Sequence, residues 1–362
     1  MVLEKHENNF SDNMKKVTLK MIAEEAGVSI SCVARCVNGS GYVSEEKRAK
    51  VYAVMKEMNY IPNQQAKFLR GGQSKIIGHI HLATDENILF VKISATIERK
   101  SYERGYKTIS YALEEGNNIQ MLNEMLADLL SYGVDGIIIN AGGEKNIIQE
   151  VGRRANSISV PVVMIERPAD VYEIEKILID NEEGSYVAVQ RLHDNGHRNI
   201  AYLGVVQNAP VEKERYRGYV QAMKSINPEY YESHSYFVEE YTVENGYLKT
   251  LEIFEGMKEP DYPTAVFAAS DILAAGVYRA FMEKGIQIPN QISVVGYDDT
   301  IAKFLSPPLS TMQLPVEEIA AAAVEALIKK VEEKERCTGN RTMKIGPIFV
   351  ERSSIKDIRN DS

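Results

Sequence analysis

From residue 76 onward the chain alternates short apolar runs with amphipathic helical stretches, and this alternation restricts the possible folds most. Runs at 76–81, 107–113, 134–139, 160–165, 200–203, 265–269 and 293–295 read as strands. Periodic stretches at 88–104, 119–132, 145–155, 182–195, 213–225, 244–257 and 272–284 read as helices. Repeated βα units imply parallel sheets covered by helices on both faces. The pattern restarts near residue 180, which predicts an α/β body of two Rossmann-like parallel-sheet lobes. A late helix over 315–334 and a strand over 345–350 have to return across the junction between them.

A different pattern precedes this body. In "VTLKMIAEEAGVSISCVARCVN" two helical patterns are separated only by Gly-Val-Ser. Each is too short to be stable alone, since isolated helices under about 12 residues are marginal in water. Thr18 is placed to cap a first helix whose apolar face is Leu19, Ile22, Ala23 and Ala26, and Gly27 supplies its left-handed stop. Ser29 caps a second helix that turns Val33 and Val37 inward. Ser44 caps a third, with Glu45 and Glu46 in its first turn and Val51, Val54, Met55 and Met58 on its inner face. Three short helices sharing one buried face, the first two joined by a glycine turn, form a helix-turn-helix pattern.

Charge separates the two parts. Residues 17–75 carry nine Lys/Arg against five acids, net +4, whereas 76–362 carry −13 of the chain's total of −9. A small basic module on a large acidic body points to an anionic partner for the module. The longest apolar runs are too short to span a bilayer, and the first sixteen residues have no apolar core or cleavage site. They read as a disordered leader, with Met14 an alternative start. Three cysteines without C-x-x-C spacing argue against a disulfide framework and a structural zinc site, and a reducing cytoplasm is the expected location. Cys32 and Cys36 stand four apart on the second helix, and packing as small apolar groups accounts for them.

The motifs T-L-x-x-I-A-x-x-A-G-V-S, R-x-x-N-G, V-S-x-x-x-R-x-x-V and Y-x-P-N, read here from Thr18 to Asn63, resemble the LacI/GalR family of bacterial transcriptional repressors. The likeness continues through "DNEEGSYVAVQRLHDNGHRNIAYLG", "SDILAAGVYRAF" and "ISVVGYDDT", over about 17–354. It implies a DNA-binding domain at 17–62, a hinge helix and linker at 63–75, and a periplasmic-binding-protein-like body at 76–356 that binds effector and dimerises. The first lobe is expected at 76–178 and 309–338, the second at 179–308 and 339–356, with a disordered tail at 357–362. It places Ile30 and Ser31 at base-reading positions, Arg35 at a further base or backbone contact, and Thr18, Ser29, Asn38 and Asn63 at phosphate or groove contacts. Cys32 stands where the family has Thr, and Ala34 where it has Ser, so two hydroxyls of the phosphate clamp are altered. The resemblance makes "QQAKFLR" a hinge helix that orders on a pseudo-palindromic operator, packs against its mate in a homodimer and drives Leu69 between base steps.

Ligands of open α/β sheets bind outside the carboxyl ends of the strands. The residues that follow strands here include Asp85, Glu166, Arg167, Asp180, Asn181, Arg215, Ser270, Asp271 and Asp298. Asp180 and Asp271, directly before helices, read as N-caps. The resemblance puts Arg215, Ser270 and Asp298 in the effector pocket, with Asp85 and Glu166 as further candidates; the loop "HLATDENILF" departs from the usual proline- and aromatic-rich one. Acids around one arginine suit a polyhydroxyl ligand, because hydroxyls both donate and accept. A purine or nucleoside, or a phosphorylated protein corepressor, stays open as the effector, as does activation of some promoters. The body has no G-x-S-x-G, H-E-x-x-H or Walker loop, so a regulator without catalytic residues, metal or cofactor is expected in preference to a sugar-processing enzyme.

Overall fold

The computed structural model describes residues 17–38, 41–58, 60, 73–83, 88–114, 119–140, 145–155, 158–165, 174–206, 210–255, 257, 262–333 and 341–359. The chain divides into two compact units, Met1–Ser74 and Lys75–Ser362.

The first unit contains α1 (Leu19–Glu25), α2 (Ile30–Asn38) and α3 (Glu45–Glu57). Thr18 Oγ1 accepts from Met21 N at 3.3 Å and Ser29 Oγ from Cys32 N at 3.2 Å, so the side chains at both starts replace missing helix acceptors. Gly27 takes φ +63 and turns the chain between the two helices. Ser44 occupies the expected cap position of α3, but its side chain makes no cap hydrogen bond. Ile22, Ala23, Val33, Cys36, Val43, Val51 and Met55 form one buried cluster, with Cys32, Val37, Val54 and Met58 packed around it. Cys36 is therefore a core residue, and burial, followed by the adjacent Cys32, pushes its thiol above its ordinary value.

The second unit opens with β1 (Ile76–Ala83), α4 (Ile88–Glu103), β2 (Lys107–Glu114), α5 (Ile119–Ser131), β3 (Gly136–Asn140), α6 (Lys145–Ala155), β4 (Val162–Ile165) and β5 (Glu175–Ile179). It continues with α7 (Asn181–Asp194), β6 (Ile200–Val205), α8 (Pro210–Ile226), α9 (Tyr230–Ser233), β7 (Ser235–Val238), α10 (Val243–Glu255), β8 (Ala265–Ala268), α11 (Asp271–Lys284) and β9 (Ser293–Asp298). A 3-10 turn follows at Ala302–Phe304, then β10 (Ser310–Gln313), α12 (Val316–Glu333), β11 (Thr342–Ile345) and β12 (Ile348–Val350). The strands form two six-stranded sheets, ordered β11-β5-β4-β3-β1-β2 and β12-β10-β9-β8-β6-β7. Every pairing is parallel except β10 with β12.

Three boundaries differ from expectation. The strand expected over 345–350 is two strands, interrupted at Gly346-Pro347, and each joins a different sheet. Proline has no N–H for a ladder, and the break lets the chain change sheets. The lobes expected at 309–338 and 339–356 are accordingly redrawn. β10 pairs with β9 in the second sheet, whereas β11 pairs with β5 in the first. α12 belongs with the first sheet: Leu327 packs against Gly136 of β3, and Lys330 pairs with Glu175 of β5 at 3.1 Å. The chain thus passes between lobes three times, at β5–α7, β10–α12 and β11–β12. Residues 357–359, expected in a disordered tail, are attached to the body, with Ile358 N donating to Asn195 O at 2.8 Å.

Close helix contacts depend on missing Cβ atoms. A Cβ on Gly218 of α8 would collide with the Glu182 carbonyl of α7, and one on Gly276 of α11 with Val243 O and Tyr247 N of α10. Among the described residues no helix is long and apolar enough to cross a membrane.

His79 departs from the apolar pattern of β1. It is 0% exposed, and neither ring nitrogen has a partner among the described residues. Its neighbours across the ladder are Ser110 and Ile138, and the His81 ring lies 5.2 Å away. Burial first, and the His81 charge second, pull its pKa down to about 3. The unfolded chain binds a proton near 6.5, so between these values it binds more protons than the folded chain, and stability falls as pH falls. His79→Leu should therefore flatten the loss of unfolding free energy between about pH 6.5 and 3 in urea titrations. Parallel curves for variant and parent would contradict this.

Candidate functional site

In the first unit, the start of α2 is exposed. Ile30 is 50% exposed although it is a large aliphatic residue, and Ser31 and Arg35 are also exposed. Val33 and Cys36, on the opposite face, are buried. Thr18 and Ser29 use their oxygens as helix caps, and the Ser29 and Ser31 hydroxyls share a hydrogen bond at 2.9 Å in which either can donate. Cys32 is half-buried, and Asn38 is the last residue of α2. A helix N-terminus with unpaired N–H groups and nearby hydroxyls can receive a phosphate, while side chains of the first turn face outward. Asn63 and Leu69 lie outside the described residues.

In the second unit, Arg215 near the start of α8 is the centre of a buried polar cluster. It is 4% exposed and donates in three directions. Nε reaches Asn181 Oδ1 at 3.2 Å, Nη1 reaches Ala269 O at 2.6 Å, and Nη2 reaches Asp298 Oδ1 at 2.7 Å. The Tyr297 ring lies beneath the guanidinium, 4.0 Å from centroid to Cζ. Burial, the largest influence, would lower the Arg215 pKa, but the Asp298 charge and hydrogen bond together with Tyr241 and Tyr297 hold it above its ordinary value. Arginine has five N–H donors, and among the described residues these bonds occupy three of them. Gly184 makes room for the assembly, since a Cβ there would strike the Tyr297 hydroxyl and Pro347.

The other strand-end candidates fall into place differently. Asp180 caps α7, accepting from Glu183 N at 3.3 Å, as its position suggests. Asp271 is not a cap. Ser270 caps α11 through Leu273 N at 3.1 Å, while Asp271 is fully buried and accepts from Thr300 N at 2.7 Å and Thr311 Oγ1 at 2.6 Å. Burial and the negative charge of Asp298 push Asp271 up to about 7. Asp85, Glu166 and Arg167 lie outside the described residues.

Asn181, which follows Asp180 at the start of the second lobe in the sequence, joins this cluster, whereas Tyr241 and Asn140 are not singled out by sequence. Asn181 holds the Arg215 Nε. Tyr241 lies within electrostatic reach of Arg215. Asn140, the last residue of β3, is 1% exposed, and neither amide atom has a partner among the described residues. An unpartnered buried amide at the carboxyl end of a parallel strand stands where such sheets take ligands. Among the described residues no three His, Cys, Asp or Glu side chains converge as a metal site.

A cap-and-turn module and a two-lobed body with a charged cluster at the strand ends match known proteins over nearly the whole chain. Residues 18–63 match the family described as bacterial regulatory proteins, lacI family, and residues 189–355 match a periplasmic binding protein-like domain. The ribose operon repressor of Haemophilus influenzae is 33% identical over 94% of this chain and 99% of its own length. The HTH-type transcriptional repressor PurR of Mannheimia succiniciproducens is 30% identical, over 94% of this chain and 99% of its own. A lac repressor dimer bound to operator and the anti-inducer ONPF superposes with TM-score 0.79 at 28% identity, covering 94% of this chain and 100% of that one. The transcriptional regulator CelR in complex with cellobiose gives TM-score 0.67 at 26% identity, over 93% and 99% of the two chains. These relatives are regulators and not enzymes, and with them this chain, which joins a helix-turn-helix unit to a periplasmic-binding-protein-like body, belongs to the lacI family of bacterial regulatory proteins.

Proposed function

We propose that the protein is a cytoplasmic, homodimeric repressor of carbohydrate-utilisation genes whose grip on DNA is set by a small sugar-type effector bound between the two lobes. The observation that carries this reading is the buried Arg215–Asp298 pair, in which a guanidinium with two N–H groups unpartnered among the described residues lies beside a carboxylate. Paired donors and acceptors of this kind suit adjacent hydroxyls. Asn140 adds a donor and an acceptor from the first lobe, and Ser270 keeps its hydroxyl proton. The pair leaves little net positive charge, which favours a neutral sugar over a sugar phosphate. Asp85 and Glu166 are proposed as further contacts. The relatives named for ribose and cellobiose support the same class. A purine is the second reading, supported by the PurR likeness. Against it, the buried Tyr297 already spends its face on Arg215.

On DNA, Ile30 and Ser31 would read base edges from the start of α2, with Arg35 farther along. Thr18, Ser29, Cys32, Asn38 and Asn63 would contact phosphates or groove walls, and Leu69 would act as a minor-groove wedge. Two copies would place two such helices in major grooves one helical turn apart. Selection of bound duplexes from a random pool should therefore return a pseudo-palindrome, with affinity falling steeply as salt rises. Recovery of a single asymmetric half-site, or of no sequence preference, would reject the dimeric reading.

Arg215→Ala should remove the effector response while leaving DNA binding in place. Each hydrogen bond lost from a buried hydroxyl costs about 1–3 kcal/mol, roughly tenfold to a hundredfold in affinity. A thermal-shift series with D-ribose, cellobiose and nucleosides identifies the class, because a ligand of the folded state raises its melting temperature. The stabilising ligand should lose its effect on Arg215→Ala. A sugar that stabilises both proteins equally would place its site elsewhere, and stabilisation by nucleosides alone would favour the purine reading.

A further inference from the structure

Asp298 and Asp299 are consecutive non-glycine residues with left-handed backbone, at φ 99° and 53°. Such conformations persist only where surrounding contacts over-determine them, and they concentrate at switches and ligand clamps. The contacts here reach all three passages between the lobes. Asp298 holds Arg215, and Arg215 holds Asn181, the first residue of α7 after the first passage. Asp299 Oδ2 accepts from Gln313 Nε2 at 2.8 Å, and Gln313 is the last residue of β10 before the second passage. Asp299 Oδ1 accepts from Arg352 Nη2 at 2.7 Å, and Arg352 follows β12 after the third. Arg352 also binds Leu309 O at 2.8 Å, tying this contact back to the entry of β10. From the first lobe, Lys92 Nζ on α4 lies 3.5 Å from the Asp299 carbonyl oxygen.

We propose that the Asp298–Asp299 dipeptide is the coupling element that reports occupancy of the cleft to the lobe passages, with Asp299 as its positioning residue. The inference rests on the cleft reading above and assigns its regulation. A hydroxyl that engages Arg215 and Asp298 shifts the Asp298 carboxylate. Because the next residue shares the same strained turn, the Asp299 carboxylate moves with it and pulls on Gln313 and Arg352. Lobe closure is then sensed at the second and third passages by residues that never touch the ligand. A dipeptide that merely ends β9 would need neither Gln313 nor Lys92.

The test needs no knowledge of the natural effector. Hydrogen exchange of the full chain is followed over residues 310–318, where Val316 N bonds to Leu314 O. Asp298→Asn is compared with the parent, and the pair is repeated in a Gln313→Ala background; Gln313 is exposed, so its truncation leaves the core intact. Arg215→Lys serves as a second perturbation should Asp298→Asn melt early. The relay predicts several-fold faster exchange over 310–318 on perturbing the pair, with the increment abolished by Gln313→Ala. An increment of equal size in both backgrounds, or none in either, overturns it. In a second arm, D-ribose is added to the parent and to Gln313→Ala. The relay predicts unchanged ribose affinity in the variant with loss of ribose protection over 310–318; protection retained in full counts against it. Failure of ribose to bind the parent would refute a ribose effector alone, while the exchange cycle still decides the relay.

Discussion

A buried guanidinium has to be neutralised and hydrogen-bonded where it lies, and in this body Arg215 imposes that demand on three segments at once. Its partners are a side chain at the start of α7, a carbonyl after β8 and a carboxylate at the end of β9. Removing one partner from a buried ion pair typically costs about 3–5 kcal/mol, because the other charge is left uncompensated. The second sheet's strand ends are thereby held in one arrangement. The proposed ligand cleft would rest on a network that is costly to break, in which two Arg215 N–H groups have no partner among the described residues.

The neighbouring acids show how closely charge is managed. Asp298 is committed to Arg215 and Asp299 to Arg352, at 2.7 Å in each case. Asp271 has no cation of its own among the described residues. Burial and the Asp298 charge push it up to about 7, so its proton comes and goes near neutrality, while Thr300 N and Thr311 Oγ1 accommodate the carboxylate. Three acids within a few residues of one another in space thus differ in role because their partners differ. Two of them take left-handed backbone, which fixes where each carboxylate points.

Much of this architecture was legible in the sequence, and the misses have physical causes. The helix-turn-helix unit was readable because its caps, glycine turn and apolar spacing all agree. The βα alternation was readable wherever strands are continuous apolar runs, as in Gly136–Asn140. It failed for β5, which begins Glu-Lys and buries Lys176, for β7, a short edge strand, and for β10, whose first three residues, Ser-Thr-Met, are buried by tertiary packing without looking apolar. Arg215 and Asp298 could be picked out as charged residues following strands. Asn181 could be picked out beside Asp180 in the same way, but Asn140 and Asp299 could not, because their importance comes from the sheet order and the three passages, which local pattern does not encode. Asp271 was misread because Ser270, one residue earlier, takes the cap.

The central claim is that occupancy of the cleft and occupancy of the DNA-reading helix are coupled. Linkage makes this directly measurable, since any factor by which effector changes DNA affinity must equal the factor by which DNA changes effector affinity. The decisive measurement is a pair of titrations on the full chain: the stabilising sugar into free protein and into protein saturated with its selected duplex. The account predicts sugar affinities that differ between the two, with a ratio equal to the change in DNA affinity on saturating with sugar. Equal sugar affinities, with DNA affinity unmoved by sugar, would contradict it.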